Sequence, residues 1–340
     1  MKAIYLIQKG AANKAFEIRD TKKPIVKAKD DILIKVEAFG LNYADVMARH
    51  GNYKEAPPFP AIMGYEVVGV VEAVNSDENA FLVGKRVVGF TRFGGYAEFA
   101  LSKDFGVTVI DDMNAGTALC IATQYVTAYY MAFVSTNLYS GDNVLVHAGA
   151  GGVGTALIQL CKLKGCTVFA TAGSDEKIEY VKQQGADFGI NYKAVDYEKT
   201  AHDLLKNERL DATFNPIAGS TFKKDFNLIG SGGRVILFGG SELSGKKWGP
   251  LSGLNFVRKM GFRLAIGLMM RSKSIIGVNM LKIGDNKPQM LHYCLTEVTK
   301  LIKDGKLKPH VGAIFSASEI AEAHTMLENR QSIGKVIVKW

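Results

Sequence analysis

The sequence offers little from which a metal or disulfide framework could be built. Its four cysteines, Cys120, Cys161, Cys166 and Cys294, form no C-x-x-C pair. That pattern excludes a zinc ribbon and a disulfide-stapled scaffold, and it suits a reducing, cytoplasmic setting. Low-complexity tracts and internal repeats are missing too, which argues against linker-like and solenoid architectures. The opening stretch MKAIYLIQKGAANKAF has neither the apolar core nor the cleavage site of a signal peptide. Residues 113–141 contain no charged side chain and are long enough to cross a bilayer. Thr117, Thr123, Gln124, Thr127, Ser135, Thr136, Asn137 and Ser140 interrupt them, however, so buried helices are expected there rather than a membrane span.

Acidic residues are outnumbered, 33 against 42 basic ones, for a formal net charge of +9. The excess lies in scattered pairs (Lys22-Lys23, Lys223-Lys224, Lys246-Lys247, Lys306 with Lys308) without interleaved aromatics. A solvated surface is expected, not a nucleic-acid groove. At 340 residues and 47% hydrophobic composition, the chain has room for two domains with ordinary globular cores.

What is present centres on residues 143–164. Asn143-Val144-Leu145-Val146-His147-Ala148 reads as a buried parallel strand. Gly149-Ala150-Gly151-Gly152-Val153-Gly154 fits G-x-G-x-x-G, and an amphipathic helix follows over 155–164. In this context Gly149 permits a sharp turn, Gly151 lets backbone approach a pyrophosphate, and Gly154 lets helix and strand pack closely. The helix start, including Gly152 and Val153, offers N–H groups and a positive dipole end to phosphate.

A second strand over 167–171 ends where an NAD-binding fold would place an acid for the ribose diol. Here the sequence is Ala172-Gly173-Ser174, with Lys177 one turn on. A hydroxyl and a lysine favour a 2′-phosphate, hence NADP over NAD. Asp175 and Glu176 lie at a helix start, where they also serve as capping acids.

In chain order, residues 1 to about 122 are rich in short runs, at 3–7, 32–38, 67–74, 85–90 and 96–101, that imply a compact β-rich unit. From about 124 to 285 strand and helix alternate, which implies a doubly wound parallel sheet of α/β class. Two helices (289–303, 317–328) and a strand (335–338) close the chain.

Several motifs together carry a family resemblance. Asn42-Tyr43-Ala44-Asp45 with Arg49, Gly51 and Tyr53, then Pro60 through Gly69, the glycine loop, and the closing Gly334-Lys335-Val336 resemble the medium-chain dehydrogenase/reductases. Within them the chain is similar to the zinc-free quinone oxidoreductases, most of all to the vesicle amine transport protein branch. The resemblance implies a GroES-like catalytic domain (1–123 and 290–340) with a Rossmann NADP-binding domain (124–289) inserted. It also implies a homodimer in which residues 274–278 pair across the axis.

Zinc-dependent relatives hold their metal on two cysteines and a histidine. The corresponding positions here resemble Asn42, Tyr65 of Gly64-Tyr65-Glu66, and Thr123 or Gln124, with Cys120 the one sulfur nearby. Zinc is therefore not expected. Without a Lewis acid the acceptor must already be electrophilic, as a quinone or an α,β-unsaturated carbonyl is.

By resemblance Tyr53 is a proton donor or oxyanion partner, the alternative being a packed loop aromatic. Asn42 is an amide partner for nicotinamide or substrate, the alternative being a turn residue. Asp45 and Arg49, four apart, read as an ion pair. Thr127, Tyr192, Phe238 and Gly239 complete the implied cofactor contacts. Residues 251–280 alternate apolar and basic side chains, which fits a cover over core or cleft, a dimer contact, or a membrane surface. Two functions follow: an NADPH-dependent reductase of quinones or enones, or an NADPH-binding scaffold associated with a membrane surface.

Overall fold

The computed structural model describes residues 1–243 and 250–340. The chain divides into two compact units, Met1–Val126 with Met280–Trp340, and Thr127–Asn279. The junctions expected at 123/124 and 289/290 thus fall at 126/127 and 279/280. The short helix Met280–Asn286 belongs with the first unit.

The first unit begins with β1 (Lys2–Leu6), β2 (Phe16–Asp20), β3 (Asp31–Leu41), β4 (Ala61–Ile62), β5 (Glu66–Val74), β6 (Arg86–Phe90), β7 (Phe99–Lys103) and β8 (Val107–Val109). The second unit supplies β9 (Asn143–Val146), β10 (Thr167–Ala172), β11 (Phe188–Asn191), β12 (Leu210–Asn215), β13 (Ile229–Leu237) and β14 (Ser274–Gly277). The chain then returns to the first unit with β15 (Val311–Ser316) and β16 (Lys335–Lys339).

In the first unit β2-β1-β4 form a small sheet, and β15-β16-β3-β5-β6-β8 form a larger one with β7 also on β3. Their core gathers Ile4, Leu6, Ile32, Ile34, Phe39, Val67, Tyr96 and Val338. The second unit is a sheet in the order β11-β10-β9-β12-β13-β14, with every pairing parallel. That is the doubly wound sheet that alternating strands and helices dictate. β9 is buried at all four positions, as a central parallel strand covered on both faces must be.

Residues Ala115–Ser135 form one long apolar helical stretch, 21 residues, two thirds of it buried. Its length and composition would let it cross a membrane, but a core helix passes the same test. Two π-helical segments, Ile121–Tyr125 and Tyr130–Ser135, interrupt its regular bonding.

The expected Asp45–Arg49 ion pair does not form. The side chains leave the helix Tyr43–Arg49 in different directions, and both are fully buried. The Asp45 carboxylate accepts from the Asn42 backbone N–H at 2.8 Å. Arg49 donates to the Gly10 carbonyl and pairs with Glu328, which also holds His50 at 2.7 Å. Four-residue spacing favours a pair only where both groups stay on the helix surface. Here burial recruits long-range partners, and Arg49 thereby ties the helix to the C-terminal segment. Glu328→Gln is expected to destabilise the protein by about 3–5 kcal/mol, since it leaves the fully buried Arg49 guanidinium without its counter-charge. Arg49→Met, which strands only the half-buried Glu328 beside His50, should cost clearly less; urea unfolding of the two variants checks the order.

Candidate active site

In the second unit the glycine loop starts where β9 ends. The left-handed residue of the turn is Ala148, with φ 52, and not Gly149. Gly149 instead serves packing: a Cβ there would lie 3.1 Å from Ala170 Cβ and from Val181 Cγ1. Gly154 is the tightest of the three, its Cβ falling 2.3 Å from the Ala148 carbonyl oxygen and 2.7 Å from Gly149 Cα. Gly151 faces more open space, with one neighbour at 3.3 Å. It caps the helix Gly152–Leu163 without any side-chain hydrogen bond, so the first amides, those of Gly152 and Val153 among them, have no side-chain cap. A dinucleotide pyrophosphate fits such a cradle.

The end of β10 carries the second part. Ser174 caps the helix Asp175–Gln183 by accepting from the Lys177 N–H at 3.4 Å, which leaves its O–H to donate to an anion. A Cβ on Gly173 would lie 2.8 Å from the Tyr192 hydroxyl and 3.4 Å from Lys193 Cε. Gly173, Ser174, Lys177, Tyr192 and Lys193 therefore gather at one strand end. Partial burial pulls the Lys177 ammonium pKa down, and neighbouring Lys193 adds to this against Glu176. The Asp175 carboxylate accepts from Asn191 Nδ2 at 2.8 Å. At the β12 and β13 ends, the Phe238 N–H donates to the Asn215 carbonyl at 3.2 Å, and a Cβ on Gly239 would meet the Pro216 carbonyl oxygen at 2.7 Å. Thr127 lies half-buried on the helical stretch where this unit begins.

Sequence reasoning missed a buried hub at these strand ends. Asp225, fully buried, accepts from Tyr197 Oη at 2.9 Å and from Asn215 Nδ2 at 2.6 Å, and pairs with His147 Nε2 at 2.8 Å. His147 Nδ1 lies 3.1 Å from Thr171 Oγ1. The one signal available was a histidine directly before the glycine loop.

The first unit holds the remaining residues. Asn42 is buried: its Nδ2 donates to Glu66 Oε1 at 2.8 Å, and its Oδ1 accepts from Lys335 Nζ at 3.0 Å. Lys335 also pairs with Glu66, both 0% exposed. Tyr53 is half-buried and meets Tyr65 edge-on at 6.1 Å between ring centroids. Burial, then Glu55, pushes its hydroxyl pKa up to about 12, so it stays protonated across the physiological range. Tyr65 is raised further, chiefly by burial. Cys120 is pushed up to about 12 by burial, and its thiol donates to the Gly116 carbonyl. Among the described residues no group of three His, Cys, Asp or Glu side chains comes together as a metal site.

A GroES-like unit whose two chain segments flank a Rossmann unit is the architecture of an oxidoreductase. The chain belongs to the medium-chain dehydrogenase/reductase superfamily. The alcohol dehydrogenase GroES-like domain matches residues 28–136, and the zinc-binding dehydrogenase family matches 152–295. The synaptic vesicle membrane protein VAT-1 homolog of Danio rerio is 31% identical over 93% of this chain, which spans 65% of that relative's length. Human quinone oxidoreductase is 30% identical over 99% of this chain and 97% of its own length. A mycobacterial structure complexed with NADPH matches with a TM-score of 0.85 at 25% identity, over 100% of both chains.

Asp45 gives the site a pH signature. Complete burial raises its pKa from 3.8 to about 7, against the opposing pull of the Asn42 N–H and Lys335. The folded state therefore binds a proton between pH 4 and 7 that the unfolded state has released, so this group's contribution to stability falls as pH rises through that window. Asp45→Asn keeps the shape and removes the titration. Its stability relative to wild type should rise between pH 5 and 7 by at most about 1.4 kcal/mol per pH unit and then level off. Denaturant melts of both proteins across that range check the slope.

Proposed function

We propose that the protein is a zinc-independent, NADPH-dependent reductase of a quinone or an α,β-unsaturated carbonyl. The observation that carries this is the β10 strand end, where Tyr192 and Lys193 lie against Gly173, Ser174 caps the helix that carries Lys177, and Asp175 is engaged by Asn191. A 2′-phosphate finds hydroxyl and ammonium donors there, whereas Asp175, the carboxylate that follows Ser174, is already bonded to Asn191. The quinone oxidoreductase relative and the NADPH-bound neighbour support the same reading.

When bound, the cofactor supplies hydride. Gly149, Gly151, Gly152, Val153 and Gly154 would hold its pyrophosphate, and Thr127, Phe238 and Gly239 would contact the remainder. Asn42, Tyr65 and the Thr123–Gln124 pair are poor zinc ligands, so activation of the acceptor falls to hydrogen bonds. Tyr53, whose hydroxyl keeps its proton, suits donation to an oxygen that gains negative charge. A cytoplasmic homodimer belongs to this reading. β14 pairs with β13 alone among the described strands, and a second copy would extend the sheet there.

Calorimetric titration with NADPH and NADH, followed by NADPH turnover on a panel of quinones and enones, tests the proposal. Wild type should bind NADPH well and NADH poorly. Lys177→Ala should weaken NADPH about tenfold, roughly 1.4 kcal/mol, and leave NADH unchanged. Binding without turnover on any acceptor would refute the reductase.

A second reading, an NADPH-binding scaffold on an anionic membrane surface, is favoured by residues 251–280. A cover over core or cleft would bury its apolar side chains. Met260 and Leu268 do pack against the core of the second unit, but Leu254, Met269 and Met270 on the helices Pro250–Met260 and Ala265–Arg271, and Phe262 and Leu264 between them, are exposed, Met270 at 78%. Residues 243–284 contain no acid; the Lys246-Lys247 pair among them lies outside the described residues. Salt-sensitive co-sedimentation with phosphatidylserine vesicles, abolished by Phe262→Glu with Met270→Glu, is the outcome this reading requires.

A further inference from the structure

Three strands of the first unit meet over one absent side chain. β16 pairs with β3 so that Val336 faces Leu41 and Ile337 faces Gly40, and β3 pairs with β5 so that Phe39 faces Val67. Continuing both registers by one residue sets Lys335 beside Asn42 and Glu66 beside Gly40. A Cβ on Gly40 would lie 2.5 Å from Glu66 Oε1 and 2.5 Å from Lys335 Cε. The carboxylate and the ammonium therefore meet across the face that glycine leaves open.

The two charges dictate the third group. An ammonium can only donate and a carboxylate can only accept, so the Asn42 amide has one permitted orientation: Oδ1 on Lys335 Nζ at 3.0 Å, Nδ2 on Glu66 Oε1 at 2.8 Å. One N–H of Nδ2 is left over by this count, while the second lone pair of Oδ1 is turned to the Asp45 backbone N–H in the capping box of the helix. The arrangement is not built for stability alone. Glu66 Oε2 is buried without a hydrogen-bond partner, and buried ion pairs are commonly matched in stability by apolar packing.

We propose that Lys335 is a positioning residue for Asn42. With Glu66 it locks the amide so that Asn42 presents an N–H donor, and not a carbonyl acceptor, to the acceptor or cofactor. The proposal rests on the reductase reading, in which Asn42 touches one of these.

The test uses the full-length protein carrying Glu66→Gln with Lys335→Met, which keeps the site neutral and removes the enforced orientation. Turnover of NADPH with a quinone should fall about tenfold relative to wild type, and adding Asn42→Ala to the pair should cause no further loss, because the amide no longer acts as oriented. A second readout needs no cofactor. The Asn42 side-chain NH2 pair, assigned in ¹⁵N spectra by its disappearance in Asn42→Ala, should exchange slowly in wild type and fast in the pair variant. Should the pair variant fail to fold, Lys335→Arg, which keeps a cationic donor, should retain both turnover and slow exchange, and loss of both in a folded Lys335→Arg would overturn the proposal. Wild-type turnover and slow exchange in the pair variant would overturn it as well, as would an Asn42→Ala protein with undiminished turnover. Absence of turnover in wild type would instead refute the reductase reading, while the exchange measurement would still report whether Lys335 holds the amide.

Discussion

The first unit depends on an ion pair that sequence distance conceals. Glu66 and Lys335, separated by 269 residues, meet fully buried over Gly40. Through them the C-terminal strand β16 is fixed beside β3, and β3 beside β5. Arg49 and Glu328 repeat the device at the helix Tyr43–Arg49. A unit assembled from two distant chain segments has a large loop-closure entropy to overcome. Hydrophobic strands supply most of the compensation, and their alternation on a buried face already sets the register. The buried opposite charges add a second requirement across the two segments, since a slipped register would leave each without its partner.

The second unit solves a related problem with one carboxylate. Its strand ends must each hold a loop in a defined place, yet parallel strands give those loops no common backbone ladder. Asp225 collects the tyrosine of one helix, the asparagine at the end of β12, and the histidine that precedes the glycine loop. Asn215 in turn accepts from the Ile217 and Ala218 N–H groups. The loops after β9 and β12 are thereby braced against one buried anion. Preorganisation of this sort lowers what must be ordered when an anionic ligand arrives.

Much of this was legible from residue order. The glycine loop, the alternation of strand and helix, and the return of the C-terminal strand follow from local patterning, because periodicity and turn chemistry act over a few residues. The helices Tyr197–Leu205 and Ser220–Leu228 were not anticipated, although Asp196 caps the first through the Glu198 and Lys199 N–H groups. Partner choice was the least legible. Asp45 and Arg49 share a helix and an opposite charge, but burial sends each to a partner that only the folded chain brings near. The turn before the helix likewise places its left-handed residue at Ala148, a role that spacing alone assigns to Gly149. The exposed helices at 250–271 mislead for another reason: amphipathic periodicity states that a face is apolar, and does not state what covers it.

In the proposed zinc-independent reductase, the buried Lys335 also bears on how the acceptor would be activated. At the positions that resemble zinc ligands stand an amide, a phenol and a hydroxyl or second amide, none of which supplies a fixed positive charge. The fixed positive charge beside Asn42 is the ammonium itself, held by Glu66 and Asn42, and its field is felt at Asp45 and Cys120, whose acidities it opposes burial to restore. An ammonium neutralised by an adjacent carboxylate cannot polarise a carbonyl as a divalent ion does. What it can do is orient dipoles, and an oriented amide donor in a dry surrounding stabilises developing negative charge without reorganising. That capability is modest, and it would suffice for the proposed quinone or enone acceptors, whose own conjugation spreads the charge. The chemistry open to the site is therefore set as much by what Lys335 cannot do as by what it holds in place.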